Sequence, residues 1–238
     1  MSDKRQIESI LRQEFLEGRN WFDWTFLVLG LGVQVAVYLI EPGNPWALVS
    51  GLLGIISVIL CSQGKIFTFA FGFLQIATYL YVCLLQRLYG EVAINAFYFL
   101  SQIYGIYAWR KRYRKTSDTS VATFLPKKMR LWQFAILFLL TMFLSVATGY
   151  GLARFTDDTQ PWLDAFTTVP ALVAQCLMVM AYKEQWYLWI LVDVLSAAMW
   201  FRAGEYTLLA QYIFWLANCV YGYYNWTRGT QSDREVLT

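Results

Sequence analysis

Asp193 is a carboxylate inside an apolar run, Trp186-Tyr-Leu-Trp189-Ile-Leu-Val-Asp193-Val-Leu-Ser-Ala-Ala-Met-Trp200. At about 100° per helical residue, Trp186, Trp189 and Asp193 fall on one stripe. A charge at the middle of a bilayer costs about 2.5–3.5 kcal/mol even on insertion scales, so such an acid has a partner or a use. An indole face attracts a delocalised cation by about 0.5–2 kcal/mol, so the stripe suits a flat, cationic or aromatic guest. Two alternatives stand beside that chemistry. Trp186 lies near Lys183 and the edge of the run, where an interfacial aromatic belt would also place it, whereas Trp189 lies too deep for a belt. Asp193 could equally serve a structural pairing with a buried amide or tyrosine.

Two further polar stripes run along apolar segments. Gln211, Asn218, Tyr221 and Asn225 recur at helical spacing in one, and Asn95, Tyr98 and Gln102 in another. Gln34, Gln75 and Gln175 lie singly in three more segments. A lone amide in a membrane is usually interhelical glue. Aligned amides on several helices of one seam point instead to a lined site.

The segments that must hold these residues are membrane spans. The chain is 58% hydrophobic and 18% aromatic with only 15% charged residues, outside the range of soluble domains. Eight apolar segments are long enough for about 30 Å of hydrocarbon, at roughly 22–40, 46–62, 66–86, 92–109, 131–153, 162–182, 186–201 and 206–226. The seventh is the shortest. Only helices satisfy their backbone over such lengths in lipid, so the expectation is an all-α polytopic membrane protein. The charged stretch before the first span does not resemble a cleavable signal peptide.

Basic residues order the spans. If all eight cross, 16 of the 19 Lys and Arg residues fall on one side, and only Arg87, Arg154 and Arg202 on the other. The positive-inside rule puts both termini and the 111–130 linker in the cytoplasm. The run Arg110–Lys115 then reads as a topogenic signal rather than a nucleic-acid patch, and no nucleic-acid partner is expected. Residues 1–20, with Ile7, Ile10, Leu11 and Phe15 among charges, read as an amphipathic helix on that surface.

Several chemistries are excluded or disfavoured. There is no histidine, which removes His-based metal sites, Ser-His-Asp triads and histidine proton relays. Cys61, Cys83, Cys176 and Cys219 form no CxxC pair and read as small buried hydrophobes. No nucleotide-binding glycine loop appears, no cofactor is implied, and Asp193 has no second acid on its stripe for enzymatic acid–base work.

Landmarks repeat. Pro45-Trp46 and Pro161-Trp162 lie 116 residues apart, and Tyr104-Gly105-Ile-Tyr107-Ala-Trp109 and Tyr221-Gly222-Tyr-Tyr224-Asn-Trp226 lie 117 apart. The organisation expected is two parallel repeats, 21–110 and 131–227, each one helix plus a three-helix bundle, with the linker at 111–130 and a tail at 228–238. A substrate would bind in the seam between the bundles, near the midplane.

At these residues the chain resembles the PnuC family of bacterial nicotinamide riboside transporters. The resemblance rests on a WxxW motif, Trp186-Tyr-Leu-Trp189, and an NxxY motif, Asn218-Cys-Val-Tyr221, on adjacent spans of a duplicated eight-helix chain. Asn95 and Tyr98 also fit NxxY. The resemblance implies a SWEET-like fold, a homotrimer in the inner membrane, and facilitated diffusion of nicotinamide riboside followed by trapping by a cytoplasmic kinase. It makes Trp186, Trp189, Asn218 and Tyr221 substrate-site candidates, to which stripe and depth add Gln102 and Asp193. Another cationic vitamin, thiamine foremost, and proton-coupled symport remain alternatives.

Overall fold

The structure, a computed structural model, describes residues 15, 19, 21–85, 87, 89–115 and 122–235. Among them eight helices follow in order: α1 (Trp21–Ile40), α2 (Pro45–Ser62), α3 (Thr68–Leu85), α4 (Tyr89–Arg110), α5 (Leu131–Phe155), α6 (Pro161–Val179), α7 (Gln185–Ala203) and α8 (Tyr206–Glu235). Six of them, α1, α2, α3, α5, α6 and α7, are each long and apolar enough to cross a membrane. The short seventh segment qualifies because the helix gains a residue or two at each end. α4 and α8 fall outside that set because they carry the amide stripes, Asn95 and Gln102 on one, Gln211, Asn218 and Asn225 on the other. The eighth helix also runs nine residues past Trp226, where a tail was expected.

The Pro-Trp landmarks are helix starts. Pro45 and Pro161 each stand at the opening of a helix, where the missing N–H has no helical partner to lose. Before Pro45 the Asn44 side chain accepts from the Trp46 N–H at 2.9 Å, capping α2.

α2 packs on α3 and α3 on α4; α6 packs on α7 and α7 on α8. The two three-helix bundles meet where α2 packs on α8 and α4 on α6. α1 lies against α2 and α8, and α5 against α6. Local geometry recurs at the 117-residue spacing of the aromatic motifs. α2 ends with Gly64 at φ +67° and α6 with Ala181 at φ +63°. The Gly64 and Ala181 N–H groups donate 2.9 Å bonds to the carbonyls of Cys61 and Met178, and those of Lys65 and Tyr182 donate 2.9 Å bonds to Leu60 and Leu177. At the turn after α6 a Cβ is tolerated in the left-handed region, a conformation that usually selects glycine.

The tryptophans that close the repeated motif bind the halves to each other. Trp109 of α4 donates through Nε1 to the Met178 carbonyl of α6 at 2.9 Å, and Trp226 of α8 to the Cys61 carbonyl of α2 at 3.0 Å. Both indoles are buried. Their hydrogen bonds satisfy helix-end carbonyls that would otherwise be orphaned in an apolar setting.

The linker is folded, which its basic composition did not suggest. Tyr113–Lys115 (β1) and Ala122–Phe124 (β2) pair antiparallel. The hairpin inserts Phe124 under the seam, stacked on Trp109 with centroids 4.3 Å apart and edge-on to Trp226 at 5.1 Å. Its ends are tied down: Tyr113 Oη donates to the Gly64 carbonyl, Arg112 Nε to the Leu125 carbonyl at 2.6 Å, and Lys127 N–H to the Ala181 carbonyl at 2.7 Å. The amphipathic helix expected over residues 1–20 lies outside the described residues except for Phe15 and Arg19; Phe15 sits edge-on to Phe67, 5.3 Å away.

Candidate functional site

The turn after α6 fixes where the Trp-Trp-Asp stripe begins. With α6 ended at Ala181, the chain reverses over residues 180–184 and α7 starts at Gln185, so Trp186 occupies its first turn. Trp186 is 3% exposed and stands edge-on to Trp226 at 5.7 Å and 87°. An interfacial belt would leave that indole in the headgroups, so burial decides against it. Close approach of α7 and α8 requires Gly222, since a Cβ there would lie 2.3 Å from Cζ2 of Trp186.

Trp186, Trp189 and Asp193 form one wall of a cavity of about 330 Å³ between the halves, a volume typical of small-molecule sites. Gln102 of α4 and Asn218 and Cys219 of α8 supply the facing walls, and Gln75, Gln175 and Gln185 also line it. The carboxylate of Asp193 is buried and accepts from the Cys219 thiol, with Sγ 3.2 Å from Oδ2. The amide or tyrosine partner of the alternative structural reading is not what it meets; its partner is a cysteine from the neighbouring helix.

The amides separate into two groups. Some are glue: Gln175 Nε2 donates to Ser101 Oγ at 2.8 Å, joining α6 to α4, and Asn225 Nδ2 donates to the Ser62 carbonyl at 3.3 Å, joining α8 to α2. Others hold buried atoms without a protein partner: Oε1 of Gln102, Oδ1 of Asn218, both amide atoms of Gln185, and Nε1 of Trp186. All four residues line the same cavity. Unsatisfied buried polar atoms cost about 1–3 kcal/mol each, and their concentration in residues that line one cavity makes it the candidate site for a polar guest.

Tyr221 is elsewhere. Its ring packs against Phe22 and Phe26, with centroids 5.6 Å away in each case, and its hydroxyl donates to Asp23 of α1. It is absent from the cavity wall. Asp23 and Gln185 were missed in the sequence. The signal for Asp23 was an acid two residues inside an aromatic span start; Gln185 borders WxxW but looks like an ordinary polar span edge.

The turn geometry and the closing tryptophan bonds recur, but the stripe does not. Phe69, Gly72 and Ile76 stand 117 residues before Trp186, Trp189 and Asp193. Phe69 meets Trp109 edge-on at 5.0 Å and 82°, as Trp186 meets Trp226, yet it is fully buried and off the cavity wall. The second half therefore supplies both indoles of the stripe and its carboxylate, while the first supplies Tyr98, Gln102 and the hydroxyl-bearing Ser57 and Thr68. Among the described residues no cluster of His, Cys, Asp or Glu could hold a metal.

Comparison with known proteins agrees with this architecture. A family model described as nicotinamide mononucleotide transporter matches residues 44–228. The chain is 32% identical to the nicotinamide riboside transporter PnuC of Neisseria mucosa, over 91% of this chain and 85% of that protein. Identity is also 32% to PnuC of Haemophilus influenzae, over 92% and 95%. The riboflavin/roseoflavin transporter RibM of Streptomyces davaonensis is a more distant relative at 24%, over 80% and 88%. A solved crystal structure of the vitamin B3 transporter PnuC superposes with a TM-score of 0.77 at 31% identity, covering 94% of this chain and 98% of that one. A polytopic helical chain with this lined seam, matched along most of its length, belongs to the nicotinamide mononucleotide transporter family, that of the PnuC proteins.

Proposed function

We propose that the protein carries nicotinamide riboside across the membrane through the cavity between its halves. The observation that carries this reading is the lining. Two indoles suit a planar pyridinium, unpartnered amides suit a carboxamide and ribose hydroxyls, and Asp193 balances one positive charge. Phosphate is the discriminating group. Among the described lining residues there is no Lys or Arg, and the one charged side chain is a carboxylate. A mononucleotide's phosphate would find no countercharge there, so the riboside is the substrate and the phosphorylated form is excluded.

Trp186, Trp189, Asn218, Gln102 and Asp193 contact the substrate in this proposal. Tyr221 serves it from behind, holding α8 to α1 through Asp23. The scaffold is two parallel repeats, 21–110 and 131–227, working as a homotrimer in the inner membrane with both termini and the linker in the cytoplasm. Transport is facilitated diffusion without chemical change to the substrate, and a cytoplasmic kinase traps the riboside.

Binding titrations of the purified protein with nicotinamide riboside, its mononucleotide, thiamine and riboflavin test the assignment. The riboside should bind tightest, and tighter binding of any other compound would overturn it. Uptake into proteoliposomes, with and without an imposed pH gradient, tests the coupling. Accumulation above the external concentration without a kinase contradicts facilitated diffusion and favours a symporter.

A further inference from the structure

Gly72 is buried in the second turn of α3, and a side chain there has no room. A Cβ would lie 2.6 Å from Nε2 and 3.2 Å from Cδ of Gln102 on α4, and 3.3 Å from Oγ of Ser57 on α2. The Gln102 amide therefore rests in a hollow that only glycine leaves. Ser57, beside that hollow, is itself fixed. Its Oγ donates to the Thr68 carbonyl at 2.9 Å, and the Thr68 hydroxyl returns a 2.8 Å bond to the Ser57 carbonyl. Oε1 of Gln102 has no hydrogen-bond partner, so packing rather than bonding holds that end of the amide.

The hollow belongs to one half only. Trp189 stands 117 residues after Gly72; where the second half builds an indole into the cavity wall, the first leaves a gap that an amide from the next helix fills. Other close-approach glycines receive rings, Phe69 at Gly105 and Trp186 at Gly222. A packed ring cannot yield, whereas the end of a glutamine can swing about its side-chain bonds. We infer that Gly72 is a positioning residue for the substrate site: it seats the Gln102 amide and so fixes where that amide stands on the cavity wall. This rests on the transport reading above, in which Gln102 contacts the substrate. Gly51 supplies the control. A Cβ there would lie 2.3 Å from Nε2 of Gln34, the same amide-on-glycine contact between α2 and α1, but Gln34 is off the cavity wall.

The test measures affinity for nicotinamide riboside and the ligand-free melting temperature of the full-length purified protein, Gly72→Ala, Gln102→Ala, the double variant and Gly51→Ala. Gln102→Ala should lose about tenfold, the scale of a hydrogen bond. Gly72→Ala should lose about as much, and adding it to Gln102→Ala should cost nothing further, since it acts only through that amide. Gly51→Ala should bind as wild type does. In proteoliposomes Gly72→Ala should raise the half-saturating concentration and leave the maximal rate within about twofold, the mark of lost binding. A reduced maximal rate with unchanged half-saturation means hindered helix motion, and the inference fails. Gly72→Ala should melt close to wild type, because the amide can swing away and alanine is the better helix former. A clearly lower value means that the helices have parted instead, which also overturns the inference. Full affinity in Gly72→Ala or in Gln102→Ala, a further loss in the double variant, or an equal loss in Gly51→Ala overturns it while leaving the transport reading intact. Failure of wild type to bind nicotinamide riboside takes down that reading and this one together.

Discussion

Gly222→Ala is the sharpest test of how the aromatic wall is held. A methyl at Gly222 would lie 2.3 Å from Cζ2 and 2.4 Å from Cη2 of Trp186, about 1 Å inside the 3.4 Å at which ordinary contact begins. Trp186 has little room to retreat, because it is 3% exposed and braced edge-on by Trp226. The indole must swing toward the cavity or the helices must part. Overpacking of this size costs about 1–3 kcal/mol. If the indole yields, that cost appears in binding as about a 5- to 150-fold loss of affinity for nicotinamide riboside. Gly105→Ala is the matched control: its methyl would lie 2.2 Å from Cε1 of Phe69, an equal insult to a ring off the cavity wall. Both variants should melt below wild type, but only Gly222→Ala should lose most of its affinity. Titration calorimetry and thermal melting of the purified proteins read both quantities. Equal affinity losses in the two variants, or full affinity in Gly222→Ala, would refute the claim that Trp186 is positioned by this contact for the substrate.

Other predictions address the remaining contacts. Trp189→Ala should weaken binding by about 1–3 kcal/mol, the worth of an aromatic stacking platform, and Trp189→Phe should recover most of it; a binding titration in which the alanine variant matches wild type contradicts the role. Asp193→Asn should lose less than Trp189→Ala on a cationic ligand and nothing on a neutral analogue, which paired titrations would reveal. Tyr221→Phe removes the donor to Asp23 and should lower stability by about 1.5–3 kcal/mol, the scale of a hydrogen bond to a charged group; an unchanged melting temperature refutes the tie between α1 and α8. Glu184, in the turn before α7, accepts from the Met129 N–H at 3.1 Å, and burial pushes its carboxyl above the ordinary value. An acid raised in the folded state favours the fold while protonated, so stability should fall as pH rises from about 4.5 through the folded value. Glu184→Gln should flatten that slope, and melting curves across pH that leave the slope unchanged would contradict it.

Much of the fold was legible because hydrophobic length and charge bias act locally. The observed helices begin and end within about four residues of the expected spans, except that α8 continues beyond its span to Glu235. The site was legible in part. Trp186, Trp189, Asp193, Asn218 and Gln102 do share a cavity, since helical periodicity alone assigns them to faces. Tyr221 shares a face with Asn218 in sequence but turns to α1, because a tyrosine reaches far enough to find a buried acid on a neighbouring helix. The hairpin that carries Phe124 escaped notice because basic composition masks a short pairing whose support comes from Trp109, Trp226 and the Gly64 carbonyl.

Sequence by itself therefore determined the spans, the repeated motifs and the polar and aromatic stripes, all set by residues within a few turns of one another. Tertiary structure alone decided which polar atoms are spent on holding helices together and which stay open. Gln175 and Gln102 are the same side chain on an apolar helix. Gln175 donates to Ser101 across the seam; the Gln102 oxygen finds no hydrogen-bond partner. That difference depends on distances between residues far apart in the chain, which no local pattern encodes.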